Sequence, residues 1–165
     1  MYNFIKDVNP VHLAPAATVA KWEGSVFVNI ATMHPKQKGA SFEAIVRDLL
    51  QAVGREVTKP ENVQHDLISD GVKIEVKGSC LNNGINKFSF LQLRPEDDYA
   101  KIAFLCIRPD AITCWVMEKD DLLKGIAKGH IKPQHGGKRG DGKTFCLYAT
   151  ETELEELGAT PILLR

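Results

Sequence analysis

Cysteine is scarce in this sequence, with four residues in 165: Cys80, Cys106, Cys114 and Cys146. None belongs to a C-x-x-C pair, and so few thiols in a chain this long argue against a disulfide framework. Cys106 and Cys114 sit inside apolar runs and read as small core residues. Net charge is missing too: 21 basic residues balance 21 acidic ones, so any nucleic-acid surface must come from local segregation of charge. No apolar run approaches the roughly 18 residues that span a membrane. The opening residues, Met-Tyr-Asn-Phe-Ile-Lys-Asp, carry no signal-type apolar region. Repeats and low-complexity tracts are absent. These absences predict a soluble protein of a reducing compartment, the cytoplasm. What remains is ordinary for a globular chain: 44% hydrophobic and 25% charged residues allow a real core and argue against disorder. The length suits one domain over residues 1–165.

Residues 1–35 read as an N-terminal extension of unclear role, with a short helix within 11–22 and a short strand at 25–30. From Gly39 the pattern sharpens. Ser41 is a plausible N-cap, and Phe42, Ile45, Val46, Leu49, Leu50 and Val53 recur at helical spacing, with Gly54 as the stop. Residues 62–69 and 72–78 are two extended runs joined by Asp70-Gly71, a strong hairpin signal. Further strands are expected at 87–93, 101–107, 112–117 and 144–149. Helices are expected at 119–128 and at 151–157, the latter capped by Thr150. The whole is an α/β chain: a central mixed β-sheet flanked by helices.

The hairpin carries the chemistry. A two-residue turn at Asp70-Gly71 pairs Ser69 with Val72, Ile68 with Lys73, Leu67 with Ile74 and Asp66 with Glu75. Side chains alternate faces, so Leu67, Ile74 and Val76 share a core face while Asp66, Glu75 and Lys77 share the other. Carboxylates opposite each other on paired strands stand about 4.5–5.5 Å apart at Cβ and repel unless a cation lies between them. A hard divalent ion with oxygen ligands answers that need, and a lysine beside it can orient a water or offset charge on a phosphate. The competing reading is a solvated hairpin face with one surface ion pair. Asp70 belongs to the turn in either case.

Asp66 followed by Glu75-Val76-Lys77 resembles the PD-(D/E)XK motif of restriction-endonuclease-like nucleases. Glu43 matches an acid that an upstream helix often supplies in that superfamily, and Gln92 matches a glutamine on the following strand. The alternatives are an exposed helix carboxylate and a surface glutamine. The resemblance covers residues 38–120, the expected catalytic core. His65 stands where the motif's name expects proline. The resemblance implies Mg²⁺-dependent hydrolysis of DNA phosphodiesters, with Mn²⁺ substituting. Asp66, Glu75 and the Val76 carbonyl would be metal ligands, Lys77 the water-orienting or phosphate-stabilising group, and Glu43 and Gln92 catalytic auxiliaries.

A second feature is the polar stretch at 130–143, where His135, Lys138, Arg139 and Lys143 lie among glycines. Such a loop suits phosphate contacts, with Lys36, Lys38 and Lys87 adding to a basic rim; the alternative is a solvated loop. His130 and His135 are unpersuasive as a metal pair without further ligands. Trp22 and Trp115 read as core or interface residues. The expected function is DNA endonuclease, type II restriction-like, acting on double-stranded DNA as a homodimer. The alternatives are a repair or junction-resolving nuclease, a noncatalytic nuclease-fold module that binds DNA or protein, and an unrelated α/β binding domain with accidental hairpin acids.

Overall fold

The computed structural model describes residues 20–60, 64–82, 84–134 and 143–163. Its central sheet has six strands in the order β1-β2-β3-β5-β6-β9. These are β1 (Val57–Thr58), β2 (Leu67–Ser69), β3 (Val72–Cys80), β5 (Lys101–Ile107), β6 (Ile112–Glu118) and β9 (Thr160–Pro161). The β3–β5 pair is parallel and its other neighbours run antiparallel, so the sheet is mixed. A smaller antiparallel sheet, β4-β8-β7, is built from β4 (Phe88–Leu93), β8 (Phe145–Ala149) and β7 (Lys132–Pro133). The helices are α1 (Val28–Thr32), α2 (Pro35–Ala52), α3 (Lys119–Ala127) and α4 (Glu151–Glu156).

Alternation along β3 and β5 sorts the apolar residues into two cores, one on each face of the central sheet. On one face Ile74, Val76, Ala103 and Leu105 meet Phe42, Ile45, Val46, Leu49 and Leu50 of α2, together with Trp22 and Ile30. On the other, Ile102, Phe104 and Cys106 meet Phe90 and Leu147 of the small sheet, with Leu122 from α3 and Leu154 from α4. Burying β5 on both faces explains its unbroken apolar run.

Two expectations from the sequence are corrected. Residues 25–30 are not a strand: Ser25 Oγ accepts the Phe27 N–H at 3.0 Å, and the helix α1 follows. Its buried Ile30 and Ala31, with Phe27 before them, recur at helical spacing, and this burial outweighs the strand preference of Val and Ile. The helix expected from Ser41 begins at Pro35 instead, where the fixed φ of proline suits the first helical position and His34 Nδ1 accepts the Lys36 N–H. Its end is as expected: Gly54 has φ +84°, and the bonds Gly54 N–H to Gln51 and Arg55 N–H to Leu50 form a Schellman stop. Of the run expected at 62–69, residues 62 and 63 lie outside the described ones, and the strand among the rest is β2. The stretch at 130–143 includes β7, and its residues His135, Lys138 and Arg139 lie outside the described ones, as does most of the helix expected at 11–22.

Candidate active site

Asp70 and Gly71 both have positive φ, +49° and +78°, as a type I′ turn demands. Arg55 and the Glu56 N–H hold the Asp70 carboxylate at 2.8 and 2.9 Å, so Asp70 is committed to the turn. The turn sets the pairs Ser69–Val72, Ile68–Lys73 and Leu67–Ile74. There the ladder stops. Asp66 donates its N–H to the Ile74 carbonyl, and its carboxylate Oδ2 reaches over to accept the Val76 N–H at 2.7 Å. Within a strand a residue's N–H and C=O point the same way, so the Val76 carbonyl also faces the Asp66 side, just past the end of β2.

Glu75 and Lys77 stand on the β3 face covered by the small sheet, and their side chains meet, Lys77 Nζ to Glu75 Oε1 at 2.7 Å. Both are largely sheltered, 22% and 12% exposed for Lys77 and Glu75, so this is not a solvated surface pair. Glu43, one residue beyond Phe42 on α2, completes the group. Burial pushes its carboxyl above the usual range, the charge of Asp66 pushes it further, and Lys59 and Lys77 pull it back. Glu75 is raised in the same way: burial first, opposed by Lys77, then repulsion from Asp66 and Asp97. The structure thus brings together Glu43, Asp66, Glu75 and Lys77.

Gln92 is not joined to them by any hydrogen bond. It lies exposed at a bulge in β4 with φ +55°, its N–H held by Gln134 Oε1 at 2.8 Å. The positive φ is unusual for a residue that is not glycine. Lys143 lies just before β8, at one end of the β7–β8 connection.

Sequence reasoning missed three neighbours. Asp97 and Lys59 add charge, and Tyr99 is buried with its hydroxyl unpartnered among the described residues. Burial and the charges of Glu75 and Asp97 raise the Tyr99 phenol, while Lys119 sits 4.8 Å from its ring. Only the β3–β5 pairing brings the 97–99 segment here, and no local spacing signals it. His65, in the motif's proline position, is 4% exposed with both ring nitrogens unpartnered among the described residues.

The donors fit a hard divalent cation in part. Among the described residues no three His, Cys, Asp or Glu side chains form a ready cage; Glu43 is within reach of the charge of Asp66 without closing one. Asp66 keeps Oδ1 free of the Val76 bond, Glu75 keeps Oε2 free of Lys77, and the Val76 carbonyl faces the same side. Two carboxylates and a carbonyl, the rest of the shell being water, match the sparse protein ligation of Mg²⁺. A hollow of about 980 Å³, lined by Leu50, Arg55, Asp70, Lys101 and Pro161 among others, contains none of these groups. Its one carboxylate is tied up in the turn, so the chemistry is not placed there.

No protein-family model and no characterised protein sequence matches the chain. Among solved structures it is similar to a bacterial homing endonuclease, I-Ssp6803I, at 15% identity over 72% of this chain and 80% of that one, with a TM-score of 0.47. The site is read from this chain's own residues. Among the described residues no helix is long and apolar enough to cross a membrane.

Proposed function

We propose that this chain is a divalent-metal-dependent endonuclease of the PD-(D/E)XK type that hydrolyses DNA phosphodiester bonds, working on duplex DNA as a cytoplasmic homodimer. The observation that carries the reading is the convergence of Asp66, Glu75 and Lys77, with Glu43 beside them, where β2 ends and β3 continues. Carboxylates brought together under partial burial repel one another, and a cation relieves that cost.

Asp66, Glu75 and the Val76 carbonyl would hold Mg²⁺ or Mn²⁺, which when bound supplies Lewis-acid charge to the phosphate. Lys77 orients the attacking water with its ammonium and stabilises the negative charge that grows on the phosphate oxygens. Glu75 fixes the direction of that ammonium through their ion pair. Glu43 adjusts the field and accepts a hydrogen bond from solvent at the rim. Gln92 acts from β4 on the bound strand, and Lys143, with His135, Lys138 and Arg139, contacts phosphates. A repair or junction-resolving nuclease would use the same groups on a different DNA shape.

The test is plasmid cleavage in Mg²⁺ and Mn²⁺ by the wild type, Glu75→Ala and Lys77→Ala. Discrete fragments from the wild type alone support a sequence-specific enzyme, and nicking or smearing favours the repair reading. No cleavage by any version, on duplex, branched or single-stranded DNA, would sink the proposal in favour of a noncatalytic module.

A further inference from the structure

Among the described residues five buried side-chain polar atoms have no hydrogen-bond partner, and three of them belong to Tyr99 and to His65, the residue before Asp66. A buried polar group left unpaired is costly, so each such group needs a reason. Tyr99 enters the molecule beside β3. The Ala100 N–H bonds the Lys73 carbonyl at 3.0 Å, and β5 then runs along β3 with Ile102 next to Glu75. Tyr99 is 4% exposed, and its ring packs in the core on the small-sheet face, the face of β3 on which Glu75 and Lys77 stand. Lys119 Nζ meets the ring 4.8 Å from its centre and donates to the Asp97 carbonyl at 2.7 Å, so the hydroxyl stays unpaired. Two carboxylates act on the phenol, Glu75 more strongly than Asp97. Glu75 has the complementary lack. Its Oε1 takes the Lys77 ammonium at 2.7 Å while Oε2 accepts no bond. The last torsion of a glutamate is broad, so one ion pair does not fix the plane of the carboxylate.

We propose that Tyr99 is a positioning residue for Glu75: its phenol O–H donates to Oε2 when the carboxylate turns to hold a divalent cation, and fixes the carboxylate plane there. The buried hydroxyl gains its partner at the moment Glu75 is put to use. This role rests on the nuclease reading only in taking Glu75 as a cation ligand; it does not depend on what is cut. Partners of this kind, which orient a ligand without touching the ion, are worth roughly 10–100-fold in metal affinity.

The test compares the full wild-type chain with Tyr99→Phe, which keeps the buried ring and removes only the hydroxyl. Mn²⁺ alone is titrated by calorimetry, and urea unfolding is measured without metal. Tyr99→Phe should bind Mn²⁺ about tenfold more weakly. Its metal-free unfolding midpoint should hold or rise, because the hydroxyl it loses has no partner in that state. The near-ultraviolet tyrosine spectrum should change as Mn²⁺ binds the wild type and stay unchanged in the variant. A hydroxyl that merely supports the core would do the reverse, with the midpoint lowered and the affinity kept. Equal affinity in both chains, a lowered midpoint in Tyr99→Phe, or no saturable Mn²⁺ binding by the wild type overturns the role. If the wild type cuts DNA and Tyr99→Phe binds Mn²⁺ and cuts equally well, Tyr99 falls and the nuclease reading stands. If Mn²⁺ affinity depends on Tyr99 while no DNA is cut, Tyr99 stands and the nuclease reading falls.

Discussion

Asp66 has two separable jobs, and single substitutions distinguish them. Its Oδ2 satisfies the Val76 N–H where β2 has ended, and its charge raises Glu43 and Glu75. Asp66→Asn keeps an acceptor oxygen and removes the charge. Its metal-free stability should stay within about 1 kcal/mol of wild type while cleavage is lost. Asp66→Ala leaves the Val76 N–H unsatisfied and should cost roughly 1–3 kcal/mol in urea unfolding as well. Equal loss of stability in both variants would show that the bond to Val76 is not what the carboxylate contributes. Gly78 is constrained from the other side of β3. A Cβ there would lie 2.3 Å from the Phe42 ring, and Phe42 is itself buried in the α2 core, with little room to retreat. Gly78→Ala should therefore cost about 1–3 kcal/mol by overpacking. Because Glu43 follows Phe42 along α2, it should also lower activity; denaturant unfolding and a cleavage assay check the two parts.

At the scale of elements, α4 offers a pH-dependent test. Thr150 Oγ1 accepts the Glu153 N–H, and the Glu153 carboxylate accepts the Thr150 N–H, a reciprocal capping box. The hydrogen bond from Lys87, followed by the one from Thr150, holds the Glu153 carboxyl below its usual 4.5. A depressed folded pKa contributes stability that is present above the unfolded value and is lost as the pH falls through the folded one. The difference between wild type and Glu153→Gln should thus be present at pH 7 and vanish as the solution is acidified below about 4.5. Thr150→Ala should cost about 1 kcal/mol at either pH. This box was legible as Thr-x-x-Glu, and the hairpin was legible from Asp70-Gly71, because both depend on residues near in sequence. The start of α2 was not, since Ser41 looked like a cap and residues 35–41, exposed or only partly buried, offer no apolar periodicity ahead of Phe42. The strand expected at 25–30 failed for a related reason: burial of Ile30 and Ala31 against α2, a tertiary fact, overrode local preference. The departure of β4 into its own sheet, with the strained Gln92 at its bulge, had no sequence signal at all. It takes Gln92 out of any hydrogen bond with the hairpin acids, while Glu75 pairs with Lys77, and Glu43, singled out only by the resemblance, lies within reach of the charges of Asp66 and Lys77.

For the molecule as a whole, the candidate site lies where β3 runs on past the end of β2, and the cost of its acids to the fold depends on pH. Glu43 and Glu75 both have raised carboxyls in the folded state. For a raised group the contribution to stability is full below the unfolded value and is lost as the pH rises through the folded one. At neutral pH the metal-free fold therefore carries the expense of ionised, half-buried acids, and an ion held by Asp66 and Glu75 should remove it. A ligand that binds only the folded state stabilises by RT ln(1 + [L]/Kd), about 2.7 kcal/mol at a hundredfold excess over Kd. In a chain of this size that corresponds to a rise in Tm of several degrees, at roughly 2–4 °C per kcal/mol. Mg²⁺ or Mn²⁺ should raise the wild-type Tm at pH 7, and the rise should shrink as acidification protonates Glu43 and Glu75. Asp66→Asn should show no rise at any pH. A shift that persists in Asp66→Asn would place the ion elsewhere in the molecule, and no shift in the wild type would leave the hairpin acids to be explained by Lys77 and Lys59 alone.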